Sequence, residues 1–209
     1  MAINDADYPN GQPNQDVKLA AMGFDGSGHR GGGIDRLQVQ LLPMNAVLLR
    51  LHKPVEKAGD HPGDFGTWWF TPYEYRRICG HFGVDGSLLV ASRAQGKSAL
   101  HGTLALLQEW YGGSSSQLSY VNAVRLKEPL WACYGPGAPA NSDGYARTLK
   151  PVKLSGGTSA RQIYIHQAWN YQTSMVRLLA PNASTDAVFG QSGGLPATVS
   201  QAPRLAFES

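Results

Sequence analysis

The sequence predicts a single α+β domain built on a mainly antiparallel β-sheet, split or sandwiched, with two main helices. Three observations lead there. Short apolar runs recur with the period-two alternation of half-buried strands. Gly 25 and Pro 13 among 209 residues interrupt the backbone too often for a coiled coil or helical bundle. Helical spacing is confined to two stretches, and their order among the strands lacks the regular alternation of a doubly wound parallel sheet. A length of 209 residues suits one large domain, or one domain with tails, at roughly 150 residues per domain.

Residues 1–33 are rich in Asn, Asp, Gln and Gly and end in Gly26-Ser27-Gly28-His29-Arg30-Gly31-Gly32-Gly33. So little apolar surface does not offset ordering entropy, and the segment is expected to be a flexible arm. The globular domain then spans 34–180. Leu37, Val39 and Leu41 alternate as a strand, and 46–52 form a second one that Lys53-Pro54 stops. Gly66-Thr67-Trp68-Trp69-Phe70 reads as a short aromatic strand. Thr71-Pro72-Tyr73-Glu74 follows as a helix start, with Thr71 the N-cap, Pro72 at N1 and Glu74 closing a capping box. That helix is expected to reach about Phe82.

Residues 87–91 read as another strand, and Leu100, Leu104, Leu107 and Tyr111 share one face of a helix over 98–111. Leu118, Tyr120, Asn122, Val124 and Leu126 take one parity of a strand that ends before Pro129. From Tyr134 to Gly157 the chain reads as a long excursion. Strands at 162–166 and 175–179 flank a turn region with Trp169 and Tyr171. Residues 181–209, rich in Ala, Ser, Pro and Gly, are expected to be a flexible tail.

A net charge of +3 and a pI of 8.9 come from scattered Lys and Arg, without the basic stripe that phosphate-backbone binding leaves. Cys79 and Cys133 lack metal-ligand spacing, which argues against zinc. They read as two buried thiols in a reducing compartment, with a single disulfide as the other possibility. No run approaches the ~18 apolar residues of a membrane span, and Met1-Ala2-Ile3-Asn4-Asp5 lacks a signal core. The expectation is a soluble protein without membrane insertion, cytoplasmic or exported by a route that uses no ordinary signal peptide.

Three kinds of chemical pattern bear on function. Ala91-Ser92-Arg93-Ala94-Gln95-Gly96-Lys97-Ser98 is a relaxed P-loop between a strand and a helix, where amides and Lys97 would cradle phosphates and Ser98 would hold Mg²⁺. No later apolar strand ends in the Asp that would complete such a metal site. The six histidines show no paired ligand spacing, no GxSxG occurs, and no two core carboxylates are spaced as an acid/base couple. No metal is expected.

The third pattern joins separated pieces. Arg50 lies on the early strand Val47-Leu48-Leu49-Arg50-Leu51-His52. An aromatic strand, Gly66-Thr67-Trp68-Trp69-Phe70, runs into Thr71-Pro72-Tyr73-Glu74-Tyr75, and a late strand begins Ser159-Ala160-Arg161-Gln162-Ile163-Tyr164-Ile165. This order resembles the mono-ADP-ribosyltransferase toxin fold: Arg or His on a first strand, an aromatic or hydroxyl-bearing strand before a helix, and a late strand opening with Glu.

The resemblance implies an enzyme of the effector or toxin kind that takes NAD as co-substrate and modifies a macromolecular acceptor, protein or nucleic acid. It also implies a neutralising immunity protein. Arg50 would hold the NAD diphosphate or ribose, with His52 competing for that task, because a guanidinium offers phosphate a planar fork of donors. Thr71 would be the second-motif hydroxyl, and Trp68, Trp69, Tyr73 or Tyr75 would stack on nicotinamide. At the third motif the chain departs from the pattern: Gln162 stands where the family has glutamate. An amide supplies no negative charge to a developing cation, so either another acid does the work, with Glu74 the candidate, or the register of the late strand differs, or the protein binds without catalysing. The other two readings are a nucleotide binder built on 91–98 and a non-catalytic module that uses its Trp and Tyr side chains to bind protein or carbohydrate.

Overall fold

A computed structural model describes residues 1–24, 33–52, 65–74, 120–138, 140–141, 153–154, 161–184, 188 and 196–208. Ten strands are described: β1 (Gln38–Leu42), β2 (Val47–His52), β3 (Trp68–Trp69), β4 (Tyr120–Leu126), β5 (Leu130–Pro136), β6 (Ala140–Asn141), β7 (Lys153–Leu154), β8 (Arg161–Tyr164), β9 (Met175–Arg177) and β10 (Ala183–Ser184). The α-helices are α1 (Gln15–Ala21) and α2 (Ala197–Ser200). The two helices predicted from Thr71 and Ser98, and the P-loop-like stretch, fall outside the described residues except for 71–74.

One sheet has the order β1-β5-β8-β3, and a second runs β10-β4-β2 with β9 also on β4; the pairings are antiparallel. The class is α+β, and the sheet is sandwiched as predicted. Leu48, Val124, Leu126 and Met175 of the second sheet pack with Leu42, Leu130, Ala132, Tyr134, Ile163 and Trp69 of the first. Burying those side chains from water supplies the main stabilisation, at ~25 cal/mol per Å² of apolar surface. At one edge the two sheets are joined, because Leu49 and Phe70 exchange both backbone hydrogen bonds at 2.8 and 2.9 Å. β3 therefore bridges to β2 on one side and pairs with β8 on the other.

The opposite face of the first sheet is covered by residues expected to be an arm. Tyr8, Val17, Ala21 and Ile34 pack with Cys133 and Tyr164, flanked by Trp68 and Trp131. Asn14 caps α1 by accepting the Val17 N–H at 3.0 Å. Asn4 extends the ladder of β5: its amide donates to the Trp131 carbonyl at 2.9 Å, and its carbonyl accepts the Trp131 N–H at 2.8 Å. The described part of 1–33 is thus a third layer. A few apolar side chains suffice because each lands on a sheet face that would otherwise be wet.

The tail reading is corrected likewise, since Val199, Leu205 and Glu208 are buried. β5 was not expected: residues 130–133 carry no pattern, and residues 134–136 open the stretch that reads as a long excursion. It is the central partner of β1 and β8 and is covered on both faces, so its sequence carries no alternation.

Candidate functional site

β2 is buried along its whole length. Leu48 faces the inter-sheet core, and by strand alternation Arg50 and His52 follow it on that face. In register beside Arg50 stands Asn122 of β4. The core thus ends in a buried polar belt of Arg50 (9% exposed), His52 (1%) and Asn122 (2%). Arg50 Nη1 donates to the Trp68 carbonyl at 2.8 Å. Gly66 makes room for the group, because a methyl there would lie 2.1 Å from Nη2. The His52 ring lies 5.9 Å from that of Tyr120.

Three residues beyond Trp68 the chain turns into a helix, and Thr71 caps it as predicted: its Oγ1 accepts the Glu74 N–H at 3.1 Å. Glu74 is buried, and its Oε2 accepts the backbone N–H of Arg161 at 3.1 Å. A carboxylate therefore sits at the head of β8, although it comes from the second motif and not from β8 itself. Sequence reasoning missed what completes this patch. The Thr71 hydroxyl donates to Glu208 Oε1, Arg161 Nη1 donates to the Phe207 carbonyl at 3.1 Å, and Arg204 lies 4.3 Å over the Tyr73 ring while donating to its hydroxyl at 2.9 Å. The one available signal was the spacing of Arg204 and Glu208, four apart and opposite in charge.

Three expected roles are corrected by position. Trp69 is core: it is fully buried beside Ile163, with Phe65 edge-on at 6.4 Å, so its face is not offered to a ring. Gln162 alternates with Ile163 and points to the other face of the sheet, where Nε2 donates to the Gly33 carbonyl at 3.0 Å. Tyr73 already carries the Arg204 guanidinium on its ring. Gln162 therefore does not converge with Arg50 and Trp69: the antiparallel Leu49–Phe70 pair sets Arg50 opposite Trp69, whereas the Trp68 ring lies on the face of Gln162 and Tyr164 and only its backbone carbonyl meets Arg50. Thr71 and Glu74 lie on the next segment of the same edge. Trp68 is half-buried, its ring 5.0 Å from that of Tyr164. Tyr75 lies outside the described residues.

Among the described residues, no group of three or more His, Cys, Asp or Glu side chains forms a metal-holding cluster. No described helix is long and apolar enough to cross a membrane. Cys133 is a buried free thiol, and Cys79 lies outside the described residues. Burial pushes the Cys133 thiol up to about 11, although the Tyr8 hydroxyl 3.6 Å away opposes this. Such a group is a poor nucleophile at neutral pH. The chemistry of the described residues is that of a buried cation, two buried carboxylates and a half-open indole.

No family model and no curated protein matches the chain. Among solved structures it is similar to Rhs1-CT in complex with cognate immunity protein RhsI1, at 16% identity over 81% of this chain and 96% of that one, with a TM-score of 0.43. It is also similar to Tse6 in complex with Tsi6, at 13% identity over 70% and 77% of the respective chains, with a TM-score of 0.32.

Proposed function

We propose that the chain is an NAD-dependent mono-ADP-ribosyltransferase of the effector kind. The observation that carries this reading is the buried Arg50 guanidinium, held on the Trp68 carbonyl at the edge where the two sheets join. The same edge carries the Glu74 carboxylate at the head of β8. In this reading the Arg50 guanidinium neutralises the dinucleotide diphosphate. As the bond between nicotinamide nitrogen and ribose C1′ breaks, its electron pair leaves with nicotinamide and the ribose gains oxocarbenium character. Glu74 supplies the opposing charge, and a nucleophile of a protein or nucleic acid acceptor takes C1′. A neutralising immunity protein is the partner this activity requires in the producing cell.

Incubation of the chain with adenylate-labelled NAD and a cell lysate is expected to label an acceptor and release nicotinamide in equal amount. Arg50→Ala is expected to weaken NAD binding by about tenfold or more, since a charge-assisted hydrogen bond contributes about 1.5–3 kcal/mol. Absence of nicotinamide release, acceptor label and NAD binding together overturns the reading. A non-catalytic recognition module is the second reading, favoured by the commitment of the Gln162 amide to Gly33. Binding of a protein or carbohydrate with neither NAD binding nor nicotinamide release would decide for it.

A further inference from the structure

Glu208 is a buried carboxylate, 2% exposed, held in place by its own segment. Leu205 N–H donates to Oε2 at 2.6 Å, while Arg204 Nε and Nη2 donate to the Glu208 carbonyl, the former at 2.6 Å. Phe207 packs its ring 4.6 Å from that of Tyr134, and its carbonyl accepts from Arg161. The carboxylate so fixed meets the Thr71 hydroxyl. A threonine hydroxyl has one proton to give. Here that proton goes to Glu208 Oε1, so the oxygen turns a lone pair to the Glu74 N–H. The Glu208 carboxylate is thereby tied through one hydroxyl to the backbone N–H of Glu74, a residue far away in sequence whose own carboxylate is anchored on the first residue of β8.

We propose that Glu208 is a positioning residue. Through Thr71 it fixes the helix start that carries Glu74, and so sets the carboxylate that opposes the developing ribose cation. The inference rests on the reading of Glu74 given under Proposed function. It also gives the Thr71 hydroxyl, expected as that of the second motif, a positioning role, because its only proton is committed to Glu208.

The test is NAD turnover by the full chain, measured as nicotinamide release per folded molecule, with the folded fraction taken from circular dichroism. Glu208→Ala is expected to lower kcat by about tenfold or more, the scale of a misplaced catalytic group, and to move KM for NAD by less than about twofold, because the lost interaction matters in the transition state. Thr71→Val, which removes the shared hydroxyl, is expected to cost the same. The Glu208→Ala/Thr71→Val double variant is expected to be no worse than either single one. Thr71→Ser, which keeps the hydroxyl, should recover most of the loss. Unchanged kcat in Glu208→Ala, a loss confined to KM, or additive losses in the double variant would overturn the proposal while leaving the transferase reading intact. A wild-type chain that turns over no NAD would take down both. Should Glu208→Ala fail to fold, Glu208→Gln replaces it in the same cycle: the amide oxygen still accepts from Thr71 but the amide nitrogen cannot accept from Leu205, so a partial loss in kcat that vanishes in the Thr71→Val background is expected, and additivity overturns.

Discussion

Gly66 and Gln162 show how a single side chain decides between roles. The Arg50 guanidinium lies where a Gly66 methyl would go, so Gly66→Ala is expected to push that group aside. The expected loss in NAD affinity matches that of Arg50→Ala, and the urea midpoint falls with it, because the buried guanidinium is driven off the Trp68 carbonyl. Isothermal titration beside a denaturation curve checks both halves. For Gln162 the family pattern suggests that restoring glutamate would restore chemistry. The structure gives the opposite expectation. The Gly33 carbonyl accepts from both the Ala138 N–H at 2.8 Å and the Gln162 amide at 3.0 Å, and a buried carboxylate would face that carbonyl with no proton to offer. Gln162→Glu is expected to lower stability by roughly 1–3 kcal/mol or more and to leave nicotinamide release no faster. Arg50 and Glu74 were legible as candidates because residue type and order suffice to nominate them. The face on which Gln162 lies was legible only as a parity, and a parity does not say which face is the cleft.

Among the elements, those that obey a local rule were readable in advance. The Thr71 cap needs only its own turn, and β1, β2, β4, β8 and β9 begin and end within a residue or two of where alternation puts them. β5 escaped because burial on both faces removes alternation, and Gly135-Pro136 at its end mimics a loop. The N-terminal layer escaped for a different reason: its stability is borrowed from the sheet it covers. Tyr8 stacks at 6.2 Å from Trp131 and is 1% exposed. Tyr8→Ala is therefore expected to cost about 3–5 kcal/mol, as for other large aromatic truncations in cores, where an arm residue would cost within about 0.5 kcal/mol. Chemical denaturation distinguishes the two without ambiguity of sign.

For the molecule as a whole, the covered face of the first sheet makes stability depend on alkaline pH. Burial is the chief cause that raises the Tyr8 phenol, the Cys133 thiol (to about 11) and the Tyr164 phenol above their ordinary values. Burial, and then the Asp7 carboxylate that accepts its hydroxyl at 3.1 Å, pushes Tyr171 up to about 12. A raised value means the folded state prefers the protonated form. That preference contributes fully below the unfolded values, 9.0 for the thiol and 10.0 for the phenols, and is lost as pH rises through the folded ones. Stability, measured by urea denaturation, is expected to hold near pH 8 and fall from about pH 9 to 11, by up to about 1.4 kcal/mol per pH unit for each of the buried Tyr8, Cys133 and Tyr164 and by less for the partly exposed Tyr171, whose shift solvent screens. Tyr8→Phe should flatten the fall, and a midpoint unchanged to pH 10.5 would contradict the assignment. The fold class, the alternating strands and the Thr71 cap follow from local spacing and residue chemistry, which neighbours in sequence specify, while Arg50 and Glu74 are nominated by the resemblance of three short motifs. The third layer, the retirement of Trp69 and Gln162 to packing, and the meeting of Glu208 with Thr71 depend on which surfaces come together. Such contacts span more than a hundred residues, and no short-range pattern encodes them.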